Sequence, residues 1–161
     1  MKRLVALAVG LAALAGSAHA QEIVRGGDPK SPIASVVTVP AGYDTIYVSG
    51  MTPPVIDEKA TGVAKFGDTK TQTLGVIGRI EAALKSQGAT LGDVVMMRVL
   101  LVGDPAKGGK MDFPGMMEGY KTFFGTPEQP NKPSRITSQI TSLVQGGMLV
   151  EIEVQAARKP K

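Results

Sequence analysis

The chain of 161 residues has no cysteine and no tryptophan, and its single histidine is His19. These gaps exclude a good deal of chemistry. Ser-His and Cys-His nucleophilic mechanisms lack their base or their nucleophile once the first twenty residues are set aside. Zinc centres built on His or Cys fall on the same ground, and disulfides are impossible. Any catalysis is left to Arg, Lys, Asp, Glu, Ser, Thr, Tyr and backbone groups, or to a cofactor held by these. Aromatic residues make up only 4% of the chain. No basic stripe is interleaved with them, which gives a nucleic-acid surface no support.

What the sequence does have begins at its start. Lys2 and Arg3 precede an apolar stretch over 4–16, and Ala18-His19-Ala20 forms a small-x-small pattern before Gln21. That is the pattern of a cleavable export signal over 1–20. The apolar run is shorter than the roughly 20 residues a bilayer-spanning helix needs. The expectation is a mature protein, cut after Ala20, in the periplasm or secreted, with no membrane association after cleavage. Losing Lys2 and Arg3 lowers the formal charge from +4 to about +2. About 140 residues remain, enough for one domain with a real core.

Residues 21–31 are polar, contain Gly26-Gly27 and Pro29, and read as a flexible leader. Residues 32–158 read as the domain and 159–161 as a solvated tail. Strands are expected over 34–39 and 45–49, joined by the Pro40 to Asp44 turn as a hairpin. A Pro- and Gly-containing loop follows over 51–66. Asp68 can cap a helix running to about Gln87, with Gly88 as the stop. Leu74, Ile77, Ile80, Ala83 and Leu84 share one face of it. Gly75 and Gly78 weaken this helix or permit a close approach. A third strand is expected over 93–102 and a second helix over 112–124, with Pro114 near its start.

The third strand is apolar on both faces, Arg98 excepted. Two helices cover only one side of a sheet, so the other side needs a different cover. Self-association into a closed ring supplies one, and a cleft between subunits would follow.

Two further strand-like runs carry the most chemistry. In Ser134-Arg135-Ile136-Thr137 and onward, Arg135, Thr137 and Gln139 share a face. In Val150-Glu151-Ile152-Glu153-Val154, Glu151 and Glu153 share a face. If the two runs pair as a hairpin in an even register, Arg135 comes beside Glu151 or Glu153. An arginine fork beside a carboxylate can hold a small carboxylic acid and a water; a salt bridge on a solvated face has the same sequence pattern.

Thr45-Ile46-Tyr47-Val48-Ser49-Gly50, the segment 88–95, the region 113–124, Pro133-Ser134-Arg135 and Val150-Glu151-Ile152-Glu153 together resemble the reactive intermediate deaminase family, RidA or YjgF. The likeness runs over about 32–158. It implies an α+β, chorismate-mutase-like (YjgF-like) fold, with a mixed sheet of five to six strands and two helices on one face. It implies a homotrimer with sites between subunits, hydrolysis of 2-imino and enamine acids to 2-keto acids and ammonia, and no metal or organic cofactor. It gives Arg135 the substrate carboxylate and Glu151 the water and imine. Ser49, Gly50, Thr137 and Tyr120 become pocket residues, and Phe113 an aromatic reaching the cleft from the neighbouring chain. The chain departs from the family pattern at Ile33, where a pocket tyrosine is usual, at Met117 for an asparagine, at Thr137 for a cysteine, and in a longer loop over 143–147. A non-catalytic reading, a trimeric small-carboxylate binder or a stress holdase, stands beside the enzyme, and an exported deaminase requires an exported source of imines.

Overall fold

The computed structural model describes residues 21–160. The expected export segment, 1–20, lies outside the described residues. In chain order the main elements are β1 (Val24–Gly26), β2 (Val36–Thr38), β3 (Asp44–Met51), α1 (Thr69–Ser86), β4 (Val94–Val102), α2 (Phe113–Tyr120), β5 (Ser134–Ile140) and β6 (Val150–Arg158).

The apolar character of β4 on both faces decides its place. It lies inside a four-stranded mixed sheet of order β3-β6-β4-β5. It runs parallel to β5, reached through the crossover that contains α2, and antiparallel to β6. β1 and β2 form a separate two-stranded ribbon. The architecture is α+β, with two helices and a mixed sheet, but the five or six strands expected of one sheet are divided into four and two.

Both expected hairpins are corrected. β5 and β6 are neighbours in sequence, yet β4 is inserted between them. A strand that is apolar all round is best buried with partners on both edges, and that outweighs the short β5–β6 connection. β2 pairs with β1, while β3 pairs with β6. Part of the segment read as a flexible leader therefore forms β1. Its Arg25 donates to the carbonyls of Val94 at 3.0 Å, Gly92 at 2.9 Å and Lys132 at 3.3 Å, tying the ribbon to the domain.

α1 follows its sequence signals closely. The Asp68 carboxylate accepts a hydrogen bond from the Thr71 backbone N–H at 2.8 Å. At the other end Gly88 takes φ +69°, a left-handed conformation that a β-carbon disfavours. Val76, Ile77, Ile80 and Leu84 are fully buried against the sheet. Gly75 permits a close approach, since a β-carbon there would overlap the Pro54 ring; Gly78 faces open space. The sequence pattern missed Gln72. It is fully buried, donates to the carbonyls of Gly67 (2.8 Å) and Gly147 (3.0 Å), and accepts from the Leu149 N–H at 2.7 Å. The contacts with Gly147 and Leu149 hold the start of α1 to the entry of β6, and with the local bond to Gly67 they satisfy a buried amide that would otherwise be costly.

Both helices cover one face of the sheet. Met97, Val99 and Leu101 of β4 and Ile152 and Val154 of β6 lie in that core. A bulge between Val94 and Met96 shifts the alternation, so Val94 is also buried there. The opposite face carries Met96, Arg98, Leu100, Glu151 and Glu153, with Tyr47 74% and Ile136 51% exposed. No element of the chain covers it among the described residues.

Candidate active site

β5 and α2 build one group of residues. Arg135 pairs with Met97 across β4–β5, so its side chain rises on the helix-covered face. Its guanidinium carbon lies 4.5 Å from the centre of the Tyr120 ring and 6.0 Å from that of Phe113. Cation–π attraction places it there. Its Nη2 lies 3.1 Å from the Met117 Sδ. Phe113, Met117 and Tyr120 belong to α2, whose start is set by Asp112: its carboxylate accepts from the Gly115 N–H at 3.2 Å, and Pro114 fits the first turn.

The polar atoms of this group are unevenly satisfied. The Tyr120 hydroxyl donates to the Pro32 carbonyl at 3.1 Å and is thereby occupied. Arg135 Nη1 and Thr137 Oγ1 are buried and have no hydrogen-bond partner among the described residues. They stand two residues apart on the same face of one strand, opposite Met97 and Val99. Burial lowers the Arg135 pKa, and the nearby Tyr120 acts against that. An arginine nevertheless stays charged at any ordinary pH. Burial pushes the Tyr120 phenol up to about 12, so it is neutral. The result is a half-buried cation with no carboxylate at its fork among the described residues, an arrangement that favours an anionic ligand.

Glu151 is elsewhere. It pairs with Leu100, one of the residues on the uncovered face. Arg135 and Glu151 are therefore on opposite faces, separated by β4, and the expected adjacency within one chain is corrected. Glu153 lies on the same uncovered face, away from Arg135; it pairs with Arg98 at 2.6 Å, an ion pair whose partners are about half exposed. It is the surface salt bridge that the sequence pattern admitted. Ser49 and Gly50 form a bulge in β3, between the Val48–Val154 and Met51–Ile152 pairs. The Glu151 carboxylate lies against Gly50, where a β-carbon would overlap it. The structure thus sorts the sequence-predicted residues into two groups: Arg135, Thr137, Phe113 and Tyr120 on the covered side, and Ser49, Gly50 and Glu151 on the uncovered side. Phe113, expected from the neighbouring chain, sits beside Arg135 of its own chain.

Residues 28–158 match the family described as Endoribonuclease L-PSP. The chain belongs to this family, which is also known as YjgF, RutC or Rid. A RutC family protein of Pyrococcus abyssi is 35% identical over 114 residues, covering 71% of this chain and 79% of that one. A second, from Pyrococcus horikoshii, is 29% identical and covers 86% of this chain and 99% of its own. Among solved structures, a member of the YjgF/YER057c/UK114 family from Mycobacterium tuberculosis superposes with a TM-score of 0.53 at 27% identity, over 85% of this chain and 98% of that one. The family's YjgF-like fold is the fold of this domain.

Sequence reasoning named Met117 only as a departure from the family pattern. Its contact with the Arg135 guanidinium makes it part of the same group. No sequence signal gives that contact, because it depends on how α2 lies over β5.

Proposed function

We propose that this protein hydrolyses 2-imino acids and their enamine tautomers to 2-keto acids and ammonia, at clefts shared between the subunits of a homotrimer. The reading rests on one observation above all: Arg135 Nη1 and Thr137 Oγ1, on the same face of β5, are each buried with no hydrogen-bond partner among the described residues. In this reading a small carboxylate accepts charge-assisted bonds from the guanidinium, and the hydroxyl is a second donor for it. Family membership agrees, since Rid proteins include imine deaminases.

The chemistry asks for little more than positioning. With the carboxylate held, the C=N carbon is presented to a water molecule. The water oxygen adds to that carbon, and the imine nitrogen takes a proton. The C–N bond of the resulting carbinolamine then breaks as the hydroxyl loses its proton, leaving the 2-keto acid and ammonia. Glu151 is the group proposed to orient the water and the imine nitrogen, with Ser49 and Gly50 beside it. Since Glu151 faces away from Arg135 in its own chain, the reading requires a second copy. The uncovered face, with Tyr47 and Ile136 exposed, offers the surface for that association.

The proposal extends to export: removal of residues 1–20 would place the enzyme in the periplasm or outside the cell, with amino-acid oxidation there as the proposed source of imines. N-terminal sequencing of protein from the native host checks the cleavage after Ala20. The activity is tested with imino acids generated in place by an amino-acid oxidase, following semicarbazide trapping of the imine against release of the keto acid. Acceleration that disappears in Arg135→Ala supports the enzyme. Tight binding of a small carboxylate with no acceleration favours the non-catalytic alternative. RNA incubated with the same preparations serves as a control for the activity in the family's description.

A further inference from the structure

The walls around Arg135 point to a preference within the substrate class, an inference that rests on the deaminase reading above. Two polar atoms there, Arg135 Nη1 and Thr137 Oγ1, have no partner among the described residues, and the deaminase reading assigns them to the substrate carboxylate. Around the Arg135 guanidinium stand a thioether and two aromatic rings: Met117 Sδ 3.1 Å from Nη2, and the ring centres of Tyr120 at 4.5 Å and Phe113 at 6.0 Å from its carbon. The one further polar atom on these side chains, the Tyr120 hydroxyl, is engaged by the Pro32 carbonyl. Met117 is 9% exposed and Phe113 40% exposed, so the thioether is buried while the phenyl ring reaches solvent.

We infer that Met117, with Phe113, makes this site selective for 2-imino acids whose side chains are uncharged and apolar. An apolar side chain loses water and gains contact with the thioether and the ring. A hydroxyl or carboxylate beside the thioether and the ring loses its water and gains no hydrogen bond from either. The polar groups proposed from the second copy, Ser49 and Glu151, serve the imine and the water. Met117 acts on the side chain of the substrate, and Arg135 on its carboxylate.

The test is a panel of imino acids made in place by broad-specificity amino-acid oxidases from leucine, methionine, serine and glutamate. The full-length enzyme is compared with Met117→Leu and Met117→Asn, each first checked for folding by circular dichroism. The expected result is a kcat/KM at least about tenfold higher for the leucine and methionine products than for the serine and glutamate products. Met117→Leu should keep that ratio, and Met117→Asn should bring it close to one. A second readout is calorimetric binding of 4-methyl-2-oxopentanoate against 2-oxoglutarate, which needs no turnover and should show the same order. Equal kcat/KM across the panel in an active enzyme, or a ratio untouched by Met117→Asn, overturns the preference while leaving the deaminase reading intact. Failure to accelerate any of the four, with Arg135→Ala equal to the parent, overturns the deaminase reading itself.

Discussion

Arg135 and Glu151 stand on opposite faces of one sheet, with β4 between their strands. The pairing of Met97 with both Arg135 and Val154 puts Arg135 over the core. The pairing of Leu100 with Glu151 puts the carboxylate on the uncovered side. A reaction that uses both residues then has to draw them from two chains, and this separates the shared-cleft enzyme from any mechanism complete within one chain.

The fork of Arg135 should matter more than its charge. Arg135→Lys keeps the positive charge but loses the planar array of donors, so its deaminase activity should fall nearly as far as that of Arg135→Ala. Losing a charge-assisted pair costs about 1.5–3 kcal/mol, or roughly ten- to a hundredfold in kcat/KM. Semicarbazide-competition kinetics on both variants provide the measurement. A lysine variant as active as the parent would show that Arg135 contributes only a point charge.

Two inactive variants should rescue one another. Arg135→Ala and Glu151→Gln, denatured together and refolded in equal amounts, should regain activity if each cleft takes Arg135 from one subunit and Glu151 from the next. Random assembly makes about a quarter of the clefts wild type. Light scattering should report three chains throughout. No regain of activity in mixed trimers would argue for sites contained within single chains.

Gly50 should position Glu151. A methyl group there would overlap the carboxylate, so Gly50→Ala should displace it and lower kcat much as Glu151→Gln does. Binding of a 2-keto acid should change little, because Arg135 and Thr137 are untouched. Glu153→Gln is the control: it breaks an exposed pair with Arg98, of the kind worth at most about 1 kcal/mol, and should leave both kcat and binding near the parent values.

Asp68 should contribute a pH-dependent part of the stability. The Thr71 backbone N–H it accepts lowers its pKa below the ordinary value. A carboxyl whose folded pKa is depressed stabilises fully above its unfolded value, about 3.9, and that stabilisation is lost as pH falls through the folded value. Asp68→Ala should cost about 1 kcal/mol at pH 7, with the difference from the parent shrinking below about pH 4. Asp68→Asn keeps a capping oxygen, so it should stay near parental stability at neutral pH and show less acid sensitivity. Urea titrations from pH 7 to pH 3 measure both effects.

The sequence by itself determined the local elements. Asp68 and Gly88 bound α1 because capping and left-handed termination depend on a few adjacent residues. The two-faced apolar run of β4 announced a buried strand and an unmet need for cover on one side of the sheet. Period-two alternation placed Arg135 with Thr137, and Glu151 with Glu153, because alternation within a strand is a property of the chain alone. It could not say which strands would lie side by side. Pairing is a competition among all strands for partners and burial, and there β4 displaced the short β5–β6 connection, moving Glu151 away from Arg135. The tertiary structure also decided the roles of Gln72 and Met117. A buried amide is tolerated only where three backbone groups converge on it, and a thioether meets a guanidinium only because α2 crosses β5 at that point. The contacts of Gln72 with Gly147 and Leu149, and of Arg135 with Met117, join separate elements, and no periodicity along the chain records them.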